Sequence, residues 1–370
     1  MLTRFEVTNF KNFAEKIVLD LTDTKKYGFN ADCIRDGVVR KALVYGHNGV
    51  GKSNLGFAIF DLVSHTTDKC NGRKYYINYL NASSPKEMAE FSYTFKFDSG
   101  VVEYKYGKKS HEKIVYESLY VNGRLFAGID RRESNIAEVN ALGAENLKTD
   151  MGASKISVVS YIKANAVLEK NEDNLCFDSF IEFVDGMLFF RSLDSNSYIG
   201  FEQGSTSIGV DIVSQGNVED FENFLNEAGI ECKLGVIDEA EEPALAFDFN
   251  GKLIPFYAIA SQGTKSLALF YYWYHRFRSG SGVSLIFVDE FDAFYHHSLS
   301  SLVISKLRDV EAQVITTTHN TSIMTNDLLR PDCYFLIGKS GIRSLSDRTQ
   351  KELREAHNIE KMYRAGAFDG

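Results

Sequence analysis

The chain has 370 residues, a formal net charge of −9 and 44% hydrophobic residues. Its length suits one large domain or two ordinary ones, and the apolar fraction is enough to bury a core. The negative charge argues against non-specific DNA binding by the whole surface, although it leaves room for a local basic patch.

No membrane segment and no secretion signal are predicted. The first ten residues lack the pattern of a signal peptide, and the apolar run at residues 267–274 is far too short to span a bilayer. The cysteines form no C-x-x-C pair, which indicates buried thiols in a reducing cytosol rather than a zinc site or disulfides. They are Cys33, Cys70, Cys176, Cys232 and Cys333. The sequence therefore predicts a cytoplasmic protein without a membrane partner.

The N-terminal region predicts strands that lead to a glycine-rich loop. Residues 2–7 and 17–21 are two predicted strands around the segment NFKNF at residues 9–13. Residues 41–45, KALVY, form a short apolar and β-rich run. Residues 54–65 then carry apolar side chains at helical spacing. The loop between the last two segments is therefore set between a strand and a helix.

This loop has the form G-x-x-x-x-G-K-S, the Walker A motif. Its glycines let backbone amides point at phosphate oxygens, and the helix that follows adds its positive dipole end. Lys52 would contact the β- and γ-phosphates, and Ser53 would offer its hydroxyl to Mg²⁺. The predicted nucleotide-binding residues are Gly46, His47, Asn48, Gly49, Val50, Gly51, Lys52, Ser53 and Asn54. The strand–loop–helix context favours this interpretation over an ordinary glycine turn, and the predicted cofactors are ATP and Mg²⁺.

The middle of the chain predicts a β-meander and then a helical segment. Residues 90–97, 101–107 and 113–123 alternate apolar and polar side chains, which is typical of antiparallel strands. We expect residues 130–230 to be mostly helical, because residues 174–190 and 217–229 have apolar positions three and four apart. We interpret this segment as a helical lid within a single unit of residues 1–370, carrying partner or self-assembly contacts. An extension of the core is the alternative.

The last third of the chain predicts the acidic half of the site. Residues 243–257 form a predicted hairpin, and residues 283–297 contain a buried strand that ends in Asp289 and Glu290, a Walker B pattern. Ligands bind at the carboxyl ends of such strands. We expect Asp289 to hold Mg²⁺ through water and Glu290 to position or deprotonate the attacking water. A strand that ends in two acids by chance is the alternative, which the Walker A motif disfavours.

Two further elements complete the predicted site. His319 follows the strand at residues 313–318, where it could contact the γ-phosphate, so Glu290 and His319 are the predicted catalytic residues. Ser261, Gln262 and Gly263 precede a predicted helix at residues 267–277. Ser261 and Gly263 there would form a phosphate cradle, with an ordinary capped helix start as the alternative.

The order of these motifs resembles the ABC-type ATPase superfamily. It is most similar to stand-alone SMC-like and RecF-like heads, the AAA family ATP-binding proteins of prokaryotic anti-phage defence systems. The similarity covers residues 1–65 and 243–368, and the middle only in outline. It implies an α/β fold: an ABC-type P-loop ATPase head with a mixed or parallel core sheet, an antiparallel β-subdomain and a helical insertion. It also implies a homo-oligomer of at least two copies, in which Ser261, Gln262 and Gly263 of one copy complete the ATP site of the other.

The resemblance leaves three functions open. The first is an ATPase that senses a phage product and controls a separately encoded effector, such as a nuclease or another toxin. The second is a RecF-like DNA repair or recombination ATPase that binds DNA directly, which the acidic composition disfavours. The third is a nucleotide-gated scaffold, because these heads have a glutamine after the first helix and this chain has none before Gln203. This departure leaves room for slow or conditional hydrolysis.

Overall fold

The computed structural model describes residues 1–67, 69, 73–191, 197–200, 208–239, 242–278, 280, 282–293, 295–338 and 341–369, so Cys70 and Gln203 lie outside it. The strands are β1 (Leu2–Thr8), β2 (Ile17–Asp20), β3 (Ile34–Arg35), β4 (Val38–Val39), β5 (Lys41–Tyr45), β6 (Ala89–Phe97), β7 (Gly100–Ser110), β8 (Lys113–Val121), β9 (Arg124–Asp130), β10 (Glu138–Val139), β11 (Met187–Arg191), β12 (Ser197–Gly200), β13 (Leu234–Glu239), β14 (Glu242–Phe249), β15 (Lys252–Pro255), β16 (Leu285–Asp289), β17 (Gln313–Thr318), β18 (Tyr334–Gly338) and β19 (Gly341–Ser344). The helices are α1 (Lys52–Ile59), α2 (Val63–Thr66), α3 (Val158–Asn165), α4 (Glu172–Asp185), α5 (Ile208–Ser214), α6 (Val218–Glu227), α7 (Phe256–Ile259), α8 (Gln262–Arg278), α9 (His297–Arg308) and α10 (Ile359–Arg364).

The core sheet has the strand order β12-β11-β16-β17-β5-β18-β19. Its five central strands are parallel, whereas β12 and β19 pair antiparallel at the two edges. Every residue of β5 and β17 is buried, as expected for parallel strands that are covered on both faces. The carboxyl ends of β5, β16 and β17 meet at one edge of this sheet. The predicted α/β fold class is therefore confirmed: the core sheet is mixed, and a separate antiparallel sheet accompanies it.

A second, antiparallel sheet has the order β10-β9-β8-β7-β6-β1-β2. It contains the three meander strands predicted from residues 90–123 and the two N-terminal strands. Buried and accessible residues alternate along β6 and β8, so one face of the sheet is apolar. Helix α4 packs on this face: the Phe180 ring lies 5.2 Å from that of Phe95, and the Phe177 ring lies 4.9 Å from that of Phe126.

The structure corrects the helical lid predicted at residues 130–230. The described residues of this segment form four helices, but β11 lies among them and forms part of the core sheet beside β16. The predicted helix at residues 174–190 is therefore wrong beyond Asp185, where α4 ends. Gly186 caps the C-terminus of α4, and a Cβ there would collide with the carbonyl of Gly282. A short apolar run such as MLFF suits a buried strand as well as a helix, so its periodicity alone misleads.

A small third sheet precedes the longest helix. It has the order β13-β14-β15, and its second hairpin turns at Asn250 and Gly251, with φ of 55° and 92°. Two positive φ angles are typical of the predicted Asn-Gly turn. The four described cysteines, Cys33, Cys176, Cys232 and Cys333, are free thiols. Within the described residues, no helix is both long enough and apolar enough to cross a membrane.

Candidate nucleotide-binding site

The loop between β5 and α1 needs glycine at two positions. A Cβ at Gly46 would lie 2.6 Å from Ile337 Cγ2 and 2.7 Å from Val50 Cγ2, closer than such atoms approach. Gly51 has φ of 109°, and a Cβ there would collide with the side chain of Asn12. Only glycine avoids both the strained backbone and the clash. Neighbouring side chains therefore pack closely against the loop at Gly46 and Gly51, whereas its residues 47–49 are exposed.

The NFKNF segment supports this loop from outside. The Asn12 side-chain amide donates to the Val50 carbonyl at 2.9 Å, and its oxygen accepts from the Asn54 amide at 2.7 Å. Asn12 thus links the two ends of the loop through one side chain. The sequence analysis identified this segment but did not predict that Asn12 holds the loop.

Strand register brings the two motifs together. Tyr45 of β5 pairs with Thr318 of β17, and the Gly46 amide donates to the Thr318 carbonyl at 3.3 Å. Strand β16 lies on the other side of β17 and ends at Asp289. The Walker A loop, the acidic pair and His319 consequently meet at one carboxyl edge of the sheet, where ligands bind in such folds.

The Thr317 hydroxyl fixes the positions of both acids. It accepts from the Glu290 amide and donates to Asp289 Oδ1, each at 2.8 Å. Glu290 has φ of 48°, a left-handed conformation that costs free energy for a non-glycine residue. Such strain often occurs at functional sites and here turns the Glu290 side chain towards the loop.

Lys52, Glu290 and His319 form one chain of contacts. Lys52 Nζ lies 3.0 Å from Glu290 Oε1 and donates to the carbonyls of Gly46 and His47 at 2.7 and 3.2 Å. The other carboxylate oxygen of Glu290 lies 2.8 Å from His319 Nδ1. The Lys52 side chain is buried, whereas that of His319 is 51% exposed. The structure therefore joins the predicted lysine, base and histidine at the mouth of one site.

Carboxylates crowd this edge of the sheet. Burial raises the pKa of Asp289, while hydrogen bonds with Ser53 and Thr317 oppose the rise. Burial also raises the pKa of Asp292, whose Oδ2 accepts from the Thr318 hydroxyl at 2.8 Å and whose Oδ1 is buried without a hydrogen-bond partner. A cation would offset both the burial and the mutual repulsion of these acids.

The donor atoms suit magnesium. The Ser53 hydroxyl and the Asp289 carboxylate are hard oxygen ligands, and Ser53 is among the groups that hold down the pKa of Asp289. Across the described ranges, no three His, Cys, Asp or Glu side chains are arranged to hold a metal by themselves. Magnesium commonly uses one or two protein oxygens together with phosphates and waters, so the residues present fit such an ion.

The predicted signature lies on a separate element, the start of α8. The Ser261 hydroxyl accepts from the Thr264 amide at 3.1 Å and lies 2.8 Å from the Thr264 hydroxyl, so it caps its own helix. Ser261 and Gln262 are exposed, and Gly263 is half-buried. The hydrogen bonds described for Ser261 stay within α8. Its role in a second copy's site remains a prediction.

Sequence reasoning missed three residues at this edge. Asn12 holds the loop, Thr317 positions both acids, and Arg191 is in register with Asp289 on the neighbouring strand. The run TTT that ends β17 offered a weak signal for Thr317. Arg191 offered none, because its strand was assigned to a helix.

The comparisons with known proteins give the family. A family model described as "AAA domain, putative AbiEii toxin, Type IV TA system" matches residues 41–325. No curated protein matches the chain. Because the family model covers more than half of the chain, this protein belongs to that family of AAA-domain proteins.

Several solved structures are similar at low identity. An SMC head bound to the C-terminal winged-helix domain of ScpA has 14% identity and a TM-score of 0.48, over 94% of this chain and 99% of that one. The SMC head domain of Thermotoga maritima has 12% identity and a TM-score of 0.43, over 92% and 97%. The recombination mediator RecF with ATP has 15% identity and a TM-score of 0.40, over 93% and 97%.

Proposed function

We propose that this protein binds ATP with Mg²⁺ at residues 46–54 and hydrolyses the γ-phosphate bond. The contact chain from Lys52 through Glu290 to His319 supports this proposal, because at one loop Lys52 would bind phosphate, Glu290 would act as the base and His319 would act as the polar switch. Membership of an AAA-domain family supports it. ATP is the substrate, and Ser53 and Asp289 would hold the metal ion.

Lys52, Glu290 and His319 would have separate roles in the proposed hydrolysis. Lys52 now donates to two loop carbonyls and contacts Glu290, and all three contacts can be exchanged for phosphate oxygens. Release from Lys52 frees Glu290 to accept a proton from the attacking water. His319 keeps the other oxygen of that carboxylate in place. When bound, Mg²⁺ would supply charge neutralisation on the phosphates.

The test compares binding with turnover in Glu290→Gln. We expect this variant to bind ATP as the wild type does, because the loop and Lys52 are intact, but to lose nearly all hydrolysis. Glu311→Gln is the matched control, since the Glu311 side chain is 82% exposed and lies outside the site. A Glu290→Gln variant that hydrolyses ATP at the wild-type rate would refute the assignment of the base.

We further infer that two copies share each ATP, as in ABC-type ATPases. The exposed Ser261 and Gln262 at the N-terminus of the 17-residue α8 support this idea. The positive end of the helix dipole and its free amides lie there, where they would favour a phosphate from a second copy.

We also infer that the ATPase senses a phage product and regulates a separately encoded effector. The family description supports this role by naming a toxin–antitoxin system. An apolar patch within residues 130–230, made of Leu142, Val167 and Leu175, supports it too, with exposures of 53%, 88% and 50%. The three residues lie on neighbouring stretches of backbone, because Glu169 and Asn174 both donate to the Leu142 carbonyl. We assign the partner contact to this patch.

Copurification tests the apolar patch. The products of the genes beside this one would be expressed with the wild type and with Val167→Glu. We expect the variant to lose the effector while it keeps ATP binding, because a charge disfavours apolar contact. Val101→Glu, at an exposed valine on β7, is the matched control. Retention of the effector by Val167→Glu would contradict the assignment.

A further inference from the structure

Arg191 lies at the same sheet edge as the Walker B acids. It is the last residue of β11 and pairs in register with Asp289. Two residues earlier, Phe189 pairs with Phe287, and ring atoms of both would lie 2.7 Å from a Cβ on Gly56 of α1. Alternate residues of a strand share a face, so Arg191 and Asp289 also project towards α1. This is the side on which the phosphate-binding loop lies.

Aromatic rings hold the guanidinium in place. Its central carbon lies 4.9 Å from the ring centroid of Phe57 and 4.3 Å from that of Tyr75, and these two rings stack at 5.5 Å. A cation over two ring faces is oriented as well as stabilised. Since Phe57 belongs to α1, the arginine is aligned with the helix that begins at Lys52.

The charge of Arg191 acts on the site. Burial raises the pKa of Asp289, and Arg191 is among the groups that oppose this rise. Burial lowers the pKa of Lys11, and Arg191 lowers it further. Lys11 also contacts the Phe57 ring, with its Nζ 5.6 Å from the centroid. Lys11 and Arg191 therefore lie beside the same ring of α1.

We propose that Arg191 contacts the γ-phosphate of ATP bound in the loop and is a catalytic residue of this ATPase. Neighbouring strands lie about 4.8 Å apart, so the Arg191 backbone is one strand spacing from that of Asp289. The guanidinium offers a planar fork of donors that matches phosphate oxygens. The proposal rests on the proposed function and adds to it the residue that distinguishes ATP from ADP.

The test measures affinity for two nucleotides by calorimetry in the presence of Mg²⁺. Wild type, Arg191→Met and Arg191→Lys are titrated with ADP and with a non-hydrolysable ATP analogue. Arg132→Met is the matched control, because Arg132 also lies over an aromatic ring, that of Tyr116 at 5.0 Å, but beside the antiparallel sheet. Methionine keeps the apolar stem of arginine and removes its charge.

We expect Arg191→Met to bind the ATP analogue roughly tenfold to a hundredfold more weakly, as for a lost charge-assisted hydrogen bond, and ADP within about twofold of wild type. Arg191→Lys should recover part of the preference, and Arg132→Met should change neither affinity. Parallel losses for both nucleotides, or no change for either, would overturn the proposal. If Arg191→Met fails to fold, an unchanged preference in Arg191→Lys overturns it instead. Wild type that binds neither nucleotide would refute the proposed function itself.

Discussion

Two buried lysines each face a carboxylate in this protein, and the two pairs have different surroundings. Lys52 Nζ lies 3.0 Å from Glu290 Oε1 at the edge of the core sheet. Lys108 Nζ lies 2.8 Å from Asp61 Oδ2 beneath the antiparallel sheet, where neither side chain is exposed. One pair lies at the mouth of a site, and the other is enclosed by protein on all sides.

The enclosed pair has partners that no ligand could replace. The Tyr106 hydroxyl donates to Asp61 Oδ2 at 2.9 Å, and His111 Nδ1 lies 3.5 Å from Oδ1. Burial alone would raise the pKa of Asp61, but Lys108 and His111 outweigh it and hold the pKa below its usual range. Glu290 instead has a strained backbone and a half-exposed histidine partner. The enclosed pair therefore joins the sheet to the end of α1, whereas the Lys52–Glu290 pair lies at the edge of the core sheet beside an accessible histidine.

The largest expected effect separates the pairs by stability. Lys108→Met should lower the free energy of unfolding by about 3–5 kcal/mol, because it leaves the Asp61 charge buried without its lysine. Urea denaturation measures this change. Lys105→Met, on the same strand but with its side chain 45% exposed, should cost less than about 1 kcal/mol. Equal losses of unfolding free energy in Lys108→Met and Lys105→Met would show that the enclosed pair stabilises the fold no more than an exposed lysine does.

The second effect separates the pairs by ligand binding. Lys52→Ala should weaken ATP binding by about 1.5–3 kcal/mol, the usual loss for a charge-assisted contact. Its effect on stability should be smaller than that of Lys108→Met, since Glu290 keeps its contact with His319. Lys41→Met is the control, because Lys41 is a buried lysine at the other end of β5 that donates to the carbonyls of Val310 and Ala312. Unchanged ATP affinity in Lys52→Ala would show that the loop is not the binding site.

The third and smallest effect concerns pH and the enclosed pair. Burial lowers the pKa of His65, Lys108 lowers it further, and Asp61 opposes both. The unfolded chain takes up a proton near pH 6.5 and the folded protein does not, so this contribution to stability is present above pH 6.5 and is lost as the pH falls. The slope is at most about 1.4 kcal/mol per pH unit.

His65→Gln should flatten that slope between pH 7 and pH 5. The ring of His65 contacts the Tyr104 hydroxyl at 2.9 Å and packs on Tyr106 at 4.6 Å, so glutamine keeps a polar group there. Unfolding free energies measured at both pH values decide the question. An identical slope in the variant would place the pH dependence elsewhere.

The elements of the candidate site were largely predictable from the sequence, since each motif is contiguous and its strand context is local. The loop around Lys52 follows β5, Asp289 ends β16 and His319 follows β17, as the motifs predict. Arg191 could not be predicted, because its position depends on the register between β11 and β16, two strands far apart in the chain. The partnership of Asn12 with the loop likewise depends on tertiary packing.

The enclosed pair shows a second limit of sequence reasoning. Alternation along β7 predicts that strand as far as Gly107, and the register shifts between Gly107 and Lys108. Lys108 continues the inward face formed by Val102, Tyr104 and Tyr106, so its side chain is directed to Asp61. Neither residue belongs to a motif, and their pairing follows only from the packing of α1 on the sheet.

Light scattering on Glu290→Gln tests whether two copies of the protein share each ATP. We expect one copy without ATP and two copies with ATP and Mg²⁺, because the nucleotide is held uncleaved between them. Gly263→Asp in the same background should prevent this assembly, since a carboxylate about 4 Å from the γ-phosphate is repelled by roughly 4 kcal/mol at an effective dielectric of about 20. Gly263→Asn, which matches it in size without the charge, should assemble more readily. A Glu290→Gln protein that binds ATP and keeps the mass of one copy would show that two copies do not share the ATP site.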